Sequence, residues 1–176
     1  TKTLTELVQI AHLDPAGEKR FTVIGNPIQH SLSPNIHLPL LRRFYHNVSY
    51  TRTEIAKDQL GPWLKHIREN GIDGFNITMP HKEAIITFLD DIDEEALYLH
   101  SVNTVTSVNS KLIGYNTDGE GFKLALATKN TSLTDKQIII LGSGGVAATL
   151  ALKAAQERAA ALTILARNRN KAQTIL

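Results

Sequence analysis

One stretch of the sequence constrains the fold more than any other: an apolar run, a glycine turn, a helix-forming run and a second apolar run. The first apolar run, Ile138–Leu141, has the composition of a buried strand, and the motif G-x-G-x-x-A follows it directly at residues 142–147. An Ala- and Leu-rich helix is expected from there to about Arg158, followed by a strand over Leu162–Ala166. A glycine turn set between a strand and a helix within about 30 residues is typical of a βαβ unit that binds a dinucleotide.

The residues of the turn fit this interpretation individually. Gly142 permits a tight turn, Gly144 leaves room for a pyrophosphate beside the N–H groups of the helix N-terminus, and Ala147 allows close helix–strand packing. The predicted cofactor site comprises the whole turn: Gly142, Ser143, Gly144, Gly145, Val146 and Ala147. The alternative is a glycine turn in an α/β protein of another kind.

The end of the second strand bears on the choice of cofactor. A unit that binds NAD usually carries Asp or Glu there, which accepts hydrogen bonds from the ribose, but no acidic residue follows Glu157 in this sequence. The segment is basic instead, and a guanidinium binds a 2′-phosphate through paired hydrogen bonds and opposite charge. We therefore predict NADP, although a solvated basic loop is an alternative. The residues predicted to contribute are Arg167, Asn168 and Lys171.

The upstream residues alternate between short strands and helices, which predicts a parallel α/β architecture. Short β-rich runs bounded by turn residues indicate strands at 21–24, 48–53, 74–78, 102–108 and 111–115. Apolar periodicity indicates helices at 4–10, 33–44 (with Ser33 as N-cap), 60–69 and 80–89, of which the third ends at Asn70-Gly71. The turn Asn109-Ser110 separates the last two strands. The predicted organisation is an N-terminal α/β domain at residues 1–118 and a Rossmann-type dinucleotide-binding domain at 119–176, of which only the first βαβ unit is present.

Composition excludes several classes of function. There is no cysteine, which removes disulfide frameworks and thiolate metal sites and is compatible with a cytoplasmic protein. The seven histidines show no metal-ligand spacing, so we predict no metal site. A net charge of +2 without a basic run does not indicate nucleic acid, and no apolar run reaches the ~18 residues of a membrane span. Both a monomer and a homodimer remain open.

Three segments before the glycine turn are more polar than a purely structural α/β domain requires. Ser31 and Ser33 lie beside a predicted helix N-terminus, which suits a carboxylate or another small anion, although a turn residue and a helix cap would also use serine. Lys82 follows a strand at the start of a predicted helix, where it is either an exposed side chain or one suited to proton transfer. Asp118 is either a structural cap of the next helix or part of a site.

Taken together, these segments resemble one family. The strings G-N-P-I-Q-H-S-L-S-P, N-I-T-M-P-H-K, S-V-N-T-V and Y-N-T-D-G-E-G-F precede G-S-G-G-V-A in this order, and the series is similar to the shikimate dehydrogenases from Gly25 to Lys171. The resemblance implies two α/β domains flanking a cleft. It also implies reversible hydride transfer between NADP(H) and C3 of shikimate or 3-dehydroshikimate, a step in the biosynthesis of chorismate and aromatic amino acids.

The resemblance also implies roles for single residues. The paired serines of that family bind the substrate carboxylate and correspond to Ser31 and Ser33 here. Lys82 and Asp118 would form the catalytic pair. The residues that would hydrogen-bond the substrate hydroxyls are Thr78, Asn103 and Asp118.

Some features depart from the family or leave alternatives. Ala166 and Asn168 stand where the family carries Asn and Thr around the matching Arg167. A quinate/shikimate dehydrogenase that uses NAD or NADP fits the same motifs, as does a non-catalytic domain that binds shikimate-like ligands, whereas a folate-type dehydrogenase lacks support from the serine pair. Because only half of a Rossmann domain precedes Leu176, we expect an incomplete chain that does not turn over by itself.

Overall fold

The structure is a computed structural model that describes residues 17–175. The chain divides into two units between Tyr115 and Asn116, within three residues of the boundary predicted at Asp118. The helix predicted at residues 4–10 lies outside the described residues.

A six-stranded sheet in the order β2-β1-β3-β5-β6-β4 forms the centre of the first unit. Its strands are β1 Lys19–Gly25, β2 Val48–Glu54, β3 Gly74–Ile77, β4 Asp91–Ile92, β5 Thr104–Val108 and β6 Lys111–Tyr115. β1, β2 and β3 are parallel, whereas β5 runs antiparallel to both β3 and β6. The α/β class is confirmed, and the sheet is mixed rather than wholly parallel. The reason is the two-residue turn Asn109–Ser110, which joins β5 to β6 and is too short for the crossover that a parallel pair requires.

Within residues 17–115, three α-helices and two short 3-10 helices accompany this sheet. They are α1 Ser33–Leu41, α2 Leu60–Asn70 and α3 Glu94–Tyr98, with the 3-10 helices Lys57–Gln59 and Ala84–Phe88. α1 ends three residues before the predicted position 44, and α2 ends as predicted at Gly71, which adopts a φ of 72°. The helix predicted from Pro80 to Leu89 is found only in part, as the 3-10 helix Ala84–Phe88, and its predicted start at Pro80 is wrong. Pro80 lies in a turn whose next residue, His81, is fully buried and bonds through Nε2 to the carbonyl oxygen of Ile55 (2.7 Å).

Both faces of the sheet are covered near β1. Successive side chains of a strand point to opposite faces, and Ile24 packs in a cluster with Leu60 and Leu64 of α2, whereas Val23 packs with Ile28 and Tyr50 on the face that α1 covers. Burial on both faces holds β1 in place, and the carboxyl end of β1 leads into the segment that carries Ser31 and Ser33 (the serine segment).

The second unit contains the predicted βαβ arrangement. Its elements are α4 Asp118–Ala127, β7 Gln137–Leu141, α5 Ala147–Gln156, β8 Ala161–Leu165 and α6 Arg169–Gln173. β7 and β8 are parallel neighbours joined through α5, so a unit of the Rossmann type is present. Two ion pairs link α4 to α5 and its C-terminal end, Lys123–Glu157 (2.8 Å) and Lys153–Glu120 (3.8 Å).

The expectation that β7 is buried throughout is wrong. Ile140 is buried against Ala147 and Ala151 of α5, but Ile139 and Leu141 are 63% and 81% exposed. The two faces differ because side chains alternate along a strand and α5 covers one face only. Within residues 17–175, every helix falls short of the length and apolar character of a membrane span.

Candidate active site

The predicted substrate residues of the first unit lie at one edge of its sheet. The parallel strands β1 and β3 both end at this edge, and β5 begins there because it runs antiparallel to β3. Backbone hydrogen bonds join the three segments: the N–H of Thr78 donates to Ile24 (2.9 Å), and the N–H of Ile77 donates to Asn103 (2.8 Å). The loops and strand ends here carry Ser31, Ser33, Thr78, Lys82 and Asn103.

Gly25 explains how the first two of these segments approach each other. A Cβ atom at Gly25 would lie 2.5 Å from Cγ2 of Thr78 and 2.9 Å from the carbonyl oxygen of Met79. The N–H of Asn26 donates to that same carbonyl oxygen at 2.9 Å. Only glycine therefore permits the loop after β1 to pack directly on the loop after β3, which brings the serine segment next to Thr78.

The two serines form a pair through their side chains. The Oγ atoms of Ser31 and Ser33 are 3.1 Å apart, and the backbone N–H of Ser33 donates to Oγ of Ser31 at 3.3 Å. The N-cap predicted at Ser33 is wrong, because Leu32 occupies that position and Ser33 is the first helical residue. Its hydroxyl bonds to Ser31 and Tyr50 instead of to the helix backbone. Two adjacent, half-buried hydroxyls are suited to donate to the oxygens of a small anion.

A chain of side-chain hydrogen bonds leads from the serine pair to Asn103. The hydroxyl of Tyr50 donates to Oδ1 of Asn76 (2.5 Å), and Nδ2 of Asn76 donates to Oγ1 of Thr104 (3.0 Å). The hydroxyl of Thr104 in turn donates to Oδ1 of Asn103 (2.9 Å). No role is predicted from the sequence for Tyr50, Asn76 or Thr104. Asn76 lies within a motif that carried the resemblance, which was a usable signal, but no local pattern links Tyr50 on β2 to β3.

Burial keeps the Tyr50 hydroxyl protonated. It raises the pKa of Tyr50 well above its ordinary value, and the hydrogen bond with Ser33 opposes that rise only in part. Tyr50 is therefore a hydrogen-bond donor at neutral pH.

Lys82 lies in the turn between β3 and the 3-10 helix Ala84–Phe88. It precedes this helix, so the expected position in the first turn of a helix is not found. Its side chain is half-buried, and its carbonyl oxygen accepts a hydrogen bond from the N–H of Val102 (2.8 Å), one residue before Asn103. The lysine backbone is thus fixed to the segment that carries another predicted site residue.

Asp118 belongs to the second unit, where it is the first residue of α4. Of the two alternatives for Asp118, the cap position is occupied by Thr117 instead. The N–H of Asp118 donates to Oδ1 of Asn116 at 3.1 Å.

The glycine turn of the second unit has the conformation that its sequence predicts. Gly142 adopts a φ of 104°, which favours glycine, and its N–H donates to the carbonyl oxygen of Leu165 (2.7 Å). A Cβ atom added at Gly144 or Gly145 would meet no heavy atom within 4 Å. Packing inside the protein therefore does not require these two glycines, whereas close approach of a ligand to the backbone would require them.

An open cavity of about 800 Å³ lies beside this turn. Its lining residues are Gly142, Ser143, Gly144, Arg167, Asn168, Arg169 and Asn170. The lining contains two guanidinium groups and no carboxylate within the described part of the chain. Arg169 and Asn170 were not predicted. Lys171, which was predicted, does not line the cavity, and Oδ1 of Asn168 accepts the N–H of Lys171 as the cap of α6 (2.9 Å).

Residues 17–175 hold no group of three or more His, Asp or Glu side chains arranged to bind a metal ion.

Known proteins share both sequence and fold with this chain. Residues 23–105 match a family described as the shikimate dehydrogenase substrate binding domain. The NADP(+) shikimate dehydrogenase of Nitrosopumilus maritimus is 40% identical over 158 residues, which are 90% of this chain and 58% of that protein. The chain is thus similar to the shikimate dehydrogenase family in both of these comparisons. It spans about half the length of the curated relatives it matches, for example 50% of the Pelagibacter ubique protein and 56% of the Methanococcus maripaludis protein.

Solved structures extend the likeness. Shikimate 5-dehydrogenase from Thermus thermophilus, in complex with NADP(H) and shikimate, is 32% identical with a TM-score of 0.82, covering 89% of this chain and 59% of that one. The ligand-free 5-ketofructose reductase of a Gluconobacter species is also 32% identical, with a TM-score of 0.81 and coverage of 90% and 57%. The region that matches the shikimate dehydrogenase family includes the five predicted residues at the sheet edge, and it ends before Asp118 and the glycine turn.

Proposed function

We propose that the protein is an NADP-dependent shikimate dehydrogenase that reversibly reduces 3-dehydroshikimate to shikimate in chorismate biosynthesis. The observation that carries the proposal is the sheet edge at which the hydroxyls of Ser31 and Ser33 lie 3.1 Å apart, within the region that matches the family's substrate-binding domain. The first unit would be the substrate domain and the second the beginning of the cofactor domain. We also propose a cytoplasmic location and a monomer or homodimer.

The carboxylate of the substrate would bind to the serine pair. Two neighbouring hydroxyl donors match two carboxylate oxygens, and bonds of this kind to a charged acceptor are stronger than neutral ones. The substrate hydroxyls would be held by Thr78, Asn103 and Asp118. This arrangement would orient the substrate, because its carboxylate and its hydroxyls bind to different side chains.

Lys82 and Asp118 would handle the proton. Reduction of a ketone requires a hydride on carbon and a proton on oxygen, and NADPH supplies the hydride when bound. The Lys82 ammonium donates a proton toward the ketone oxygen and stabilises the negative charge that develops there. The Asp118 carboxylate would accept a hydrogen bond from a substrate hydroxyl. In the oxidative direction, the neutral Lys82 amine would take the proton from the alcohol.

The cofactor would bind at the glycine turn. The open space beside Gly144 and Gly145 suits a pyrophosphate close to the backbone N–H groups at the start of α5. Arg167 and Arg169 line the adjacent cavity, where a ribose 2′-phosphate would meet positive charge. The absence of a carboxylate from the described lining supports NADP rather than NAD.

A second candidate is reduction of a sugar ketone, favoured by the likeness to 5-ketofructose reductase. That substrate carries no carboxylate, so it would make no use of a pair of anion-binding hydroxyls. A quinate/shikimate dehydrogenase is a third candidate, which differs in the ring substituents it accepts.

Turnover by the full-length protein separates these candidates. We expect NADPH formation from shikimate with NADP at a kcat/KM well above the values for quinate or for NAD, and little oxidation of NADPH by 5-ketofructose. A preference for quinate or for NAD would replace the proposal by the quinate/shikimate enzyme. Turnover of 5-ketofructose alone would support the sugar reductase, and no turnover of any of these compounds would support a non-catalytic binding protein.

A further inference from the structure

We propose that Arg52 is a positioning residue of the substrate site, which fixes the chain on both sides of Ser33 and so holds the serine pair in place for a carboxylate. The inference rests on the proposed function, because that function assigns the substrate carboxylate to Ser31 and Ser33. Arg52 lies on β2, outside the motifs that carry the family resemblance.

The guanidinium of Arg52 bridges two residues of the segment after β1. Its Nε donates to the carbonyl oxygen of Ser31 (2.8 Å), and its Nη2 donates to Oδ1 of Asn35 in the first turn of α1 (3.0 Å). Ser31 and Asn35 stand on either side of Ser33 in the sequence. Because a guanidinium presents its N–H groups in one rigid plane, the two bonds together hold the loop against the start of the helix.

The side chain of Arg52 reaches this segment from the neighbouring strand. Arg52 pairs with Val23 of β1, and both side chains point to the face of the sheet that α1 covers. Glu54 lies two residues further along β2, on the same face, and accepts a hydrogen bond from Nε2 of Gln29. The strand β2 therefore contacts the chain after β1 at two points, Gln29 and Ser31.

The bond from Arg52 leaves the hydroxyls of the serine pair available to a ligand. Arg52 bonds to the backbone carbonyl oxygen of Ser31, and the N–H of Ser31 donates to the carbonyl oxygen of Ile28 (3.0 Å). Ser31 is thus held through both of its backbone polar groups, which fixes the point from which its hydroxyl extends. The position of Ser33 follows, since its N–H donates to Oγ of Ser31 (3.3 Å).

The charge of Arg52 suits a bound anion better than it suits the helix. A helix N-terminus carries partial positive charge, so a cation beside the start of α1 does not stabilise that helix. The first turn of α1 contains no acidic residue that would pair with the guanidinium. A carboxylate at the serine pair would meet positive charge from both the guanidinium and the helix end.

The test compares Arg52→Met with Arg43→Met in the full-length protein. Methionine keeps an unbranched side chain but removes both donors, and Arg43 is a matched control because it is an exposed arginine just after α1. We expect Arg52→Met to raise the KM for shikimate about fivefold, as for loss of a hydrogen bond, with kcat and the KM for NADP little changed. Arg43→Met should leave all three constants at wild-type values. A wild-type KM in Arg52→Met, or equal effects in both variants, would overturn the assignment.

Arg52→Lys separates position from charge. Lysine keeps the positive charge but replaces the planar fork by a single ammonium group, so its KM for shikimate should stay close to that of Arg52→Met. A wild-type KM in Arg52→Lys would show that charge alone is sufficient, and it would overturn the positioning role.

Coupling to the serines supplies a readout that a purely structural role would not give. If Arg52 acts through the serine pair, adding Arg52→Met to Ser31→Ala/Ser33→Ala should change kcat/KM for shikimate little, whereas independent effects multiply. Multiplying effects would contradict a role through the serines.

Amide hydrogen exchange distinguishes failure of this inference from failure of the proposed function. Absence of shikimate turnover in the wild type would remove the proposed function, but the hydrogen-bonded N–H groups of Ser31 and Ser33 report on the segment without substrate. Faster exchange of both groups in Arg52→Met, and of neither in Arg43→Met, would support the positioning role. Unchanged exchange in Arg52→Met would overturn it.

Discussion

The hydroxyl oxygens of Ser31 and Ser33 lie 3.1 Å apart at the edge of the sheet where β1 and β3 end. Ser33 is not the cap of the helix that it begins, and Ser31 accepts the backbone N–H of Ser33. The pair is therefore arranged by side-chain contacts that leave it suited to a carboxylate.

Removal of either serine hydroxyl should weaken substrate binding more than chemistry. We expect Ser31→Ala and Ser33→Ala each to raise the KM for shikimate about tenfold or more, the effect of losing a hydrogen bond to a charged group. The value of kcat should change little, since the lost contact is the same in the ground state and the transition state. Steady-state kinetics of the full-length variants test this, with the half-buried Ser107 of β5 replaced by alanine as control. An unchanged KM in both variants would remove the carboxylate role.

Replacement of glycine by alanine should destabilise the protein at Gly25 but not at Gly144. At Gly25 a Cβ atom would lie 2.5 Å from Cγ2 of Thr78, so Gly25→Ala should lower the free energy of unfolding by about 1–3 kcal/mol through overpacking. At Gly144 a Cβ atom meets nothing within 4 Å, so Gly144→Ala should leave stability unchanged or slightly raised. The KM for NADP should nevertheless rise in Gly144→Ala. Urea unfolding and cofactor titration test the pair, and a destabilised Gly144→Ala with wild-type cofactor affinity would contradict the ligand role of the turn.

The two arginines beside the glycine turn should determine the preference for NADP. Arg167→Ala and Arg169→Ala should each raise the KM for NADP about tenfold and leave the KM for NAD nearly unchanged, because only NADP carries the 2′-phosphate. Lys129→Ala, which removes an exposed charge just after α4, is the control. Equal loss of affinity for both cofactors would show that the arginines act elsewhere on the dinucleotide.

The carboxylate of Asp90 should make the free energy of unfolding depend on pH in the acid range. Its carboxylate accepts the N–H of Leu112 (2.7 Å) and a guanidinium N–H of Arg68 (2.8 Å), and these bonds, that of Leu112 first, hold the pKa of Asp90 below its ordinary value. The folded state therefore binds this proton less readily than the unfolded state. The resulting stability is complete above the unfolded pKa, about 4, and is lost as the pH falls through the lower folded pKa.

Asp90→Asn should remove that acid dependence, because an amide does not titrate in this range. We expect the free energy of unfolding of Asp90→Asn to fall less steeply below about pH 4 than that of the wild type. Urea unfolding at a series of pH values measures this. Asp91→Asn, at the neighbouring exposed position, should keep the wild-type dependence. Identical pH profiles for the wild type and Asp90→Asn would show that the carboxylate contributes nothing.

Features determined by local sequence could be predicted. The βαβ unit at the glycine turn, the helix stop at Gly71 and the turn at Asn109–Ser110 all follow from backbone preferences of a few adjacent residues. The five predicted residues at the sheet edge were found by their motifs, since each follows or precedes a strand end. Their roles remain predictions.

Features determined by tertiary contacts could not be predicted in the same way. The predicted cap at Ser33 failed because its hydroxyl found Ser31 and Tyr50, of which Tyr50 lies on another strand. The predicted helix start at Pro80 is not found because His81 is buried there and bonds to the carbonyl oxygen of Ile55, so the helix begins only at Ala84. Which face of β7 is covered depends on α5, not on the apolar run itself.

The most direct test of the account is the rate of NADPH formation from shikimate and NADP by the full-length protein, measured for the wild type and for Lys82→Ala. We predict ready turnover by the wild type and a kcat at least about 100-fold lower in Lys82→Ala, the usual contribution of a proton-transfer group, with the dissociation constant of shikimate changed far less. A Lys82→Ala variant that retains wild-type kcat would contradict the assignment of Lys82 to the chemical step.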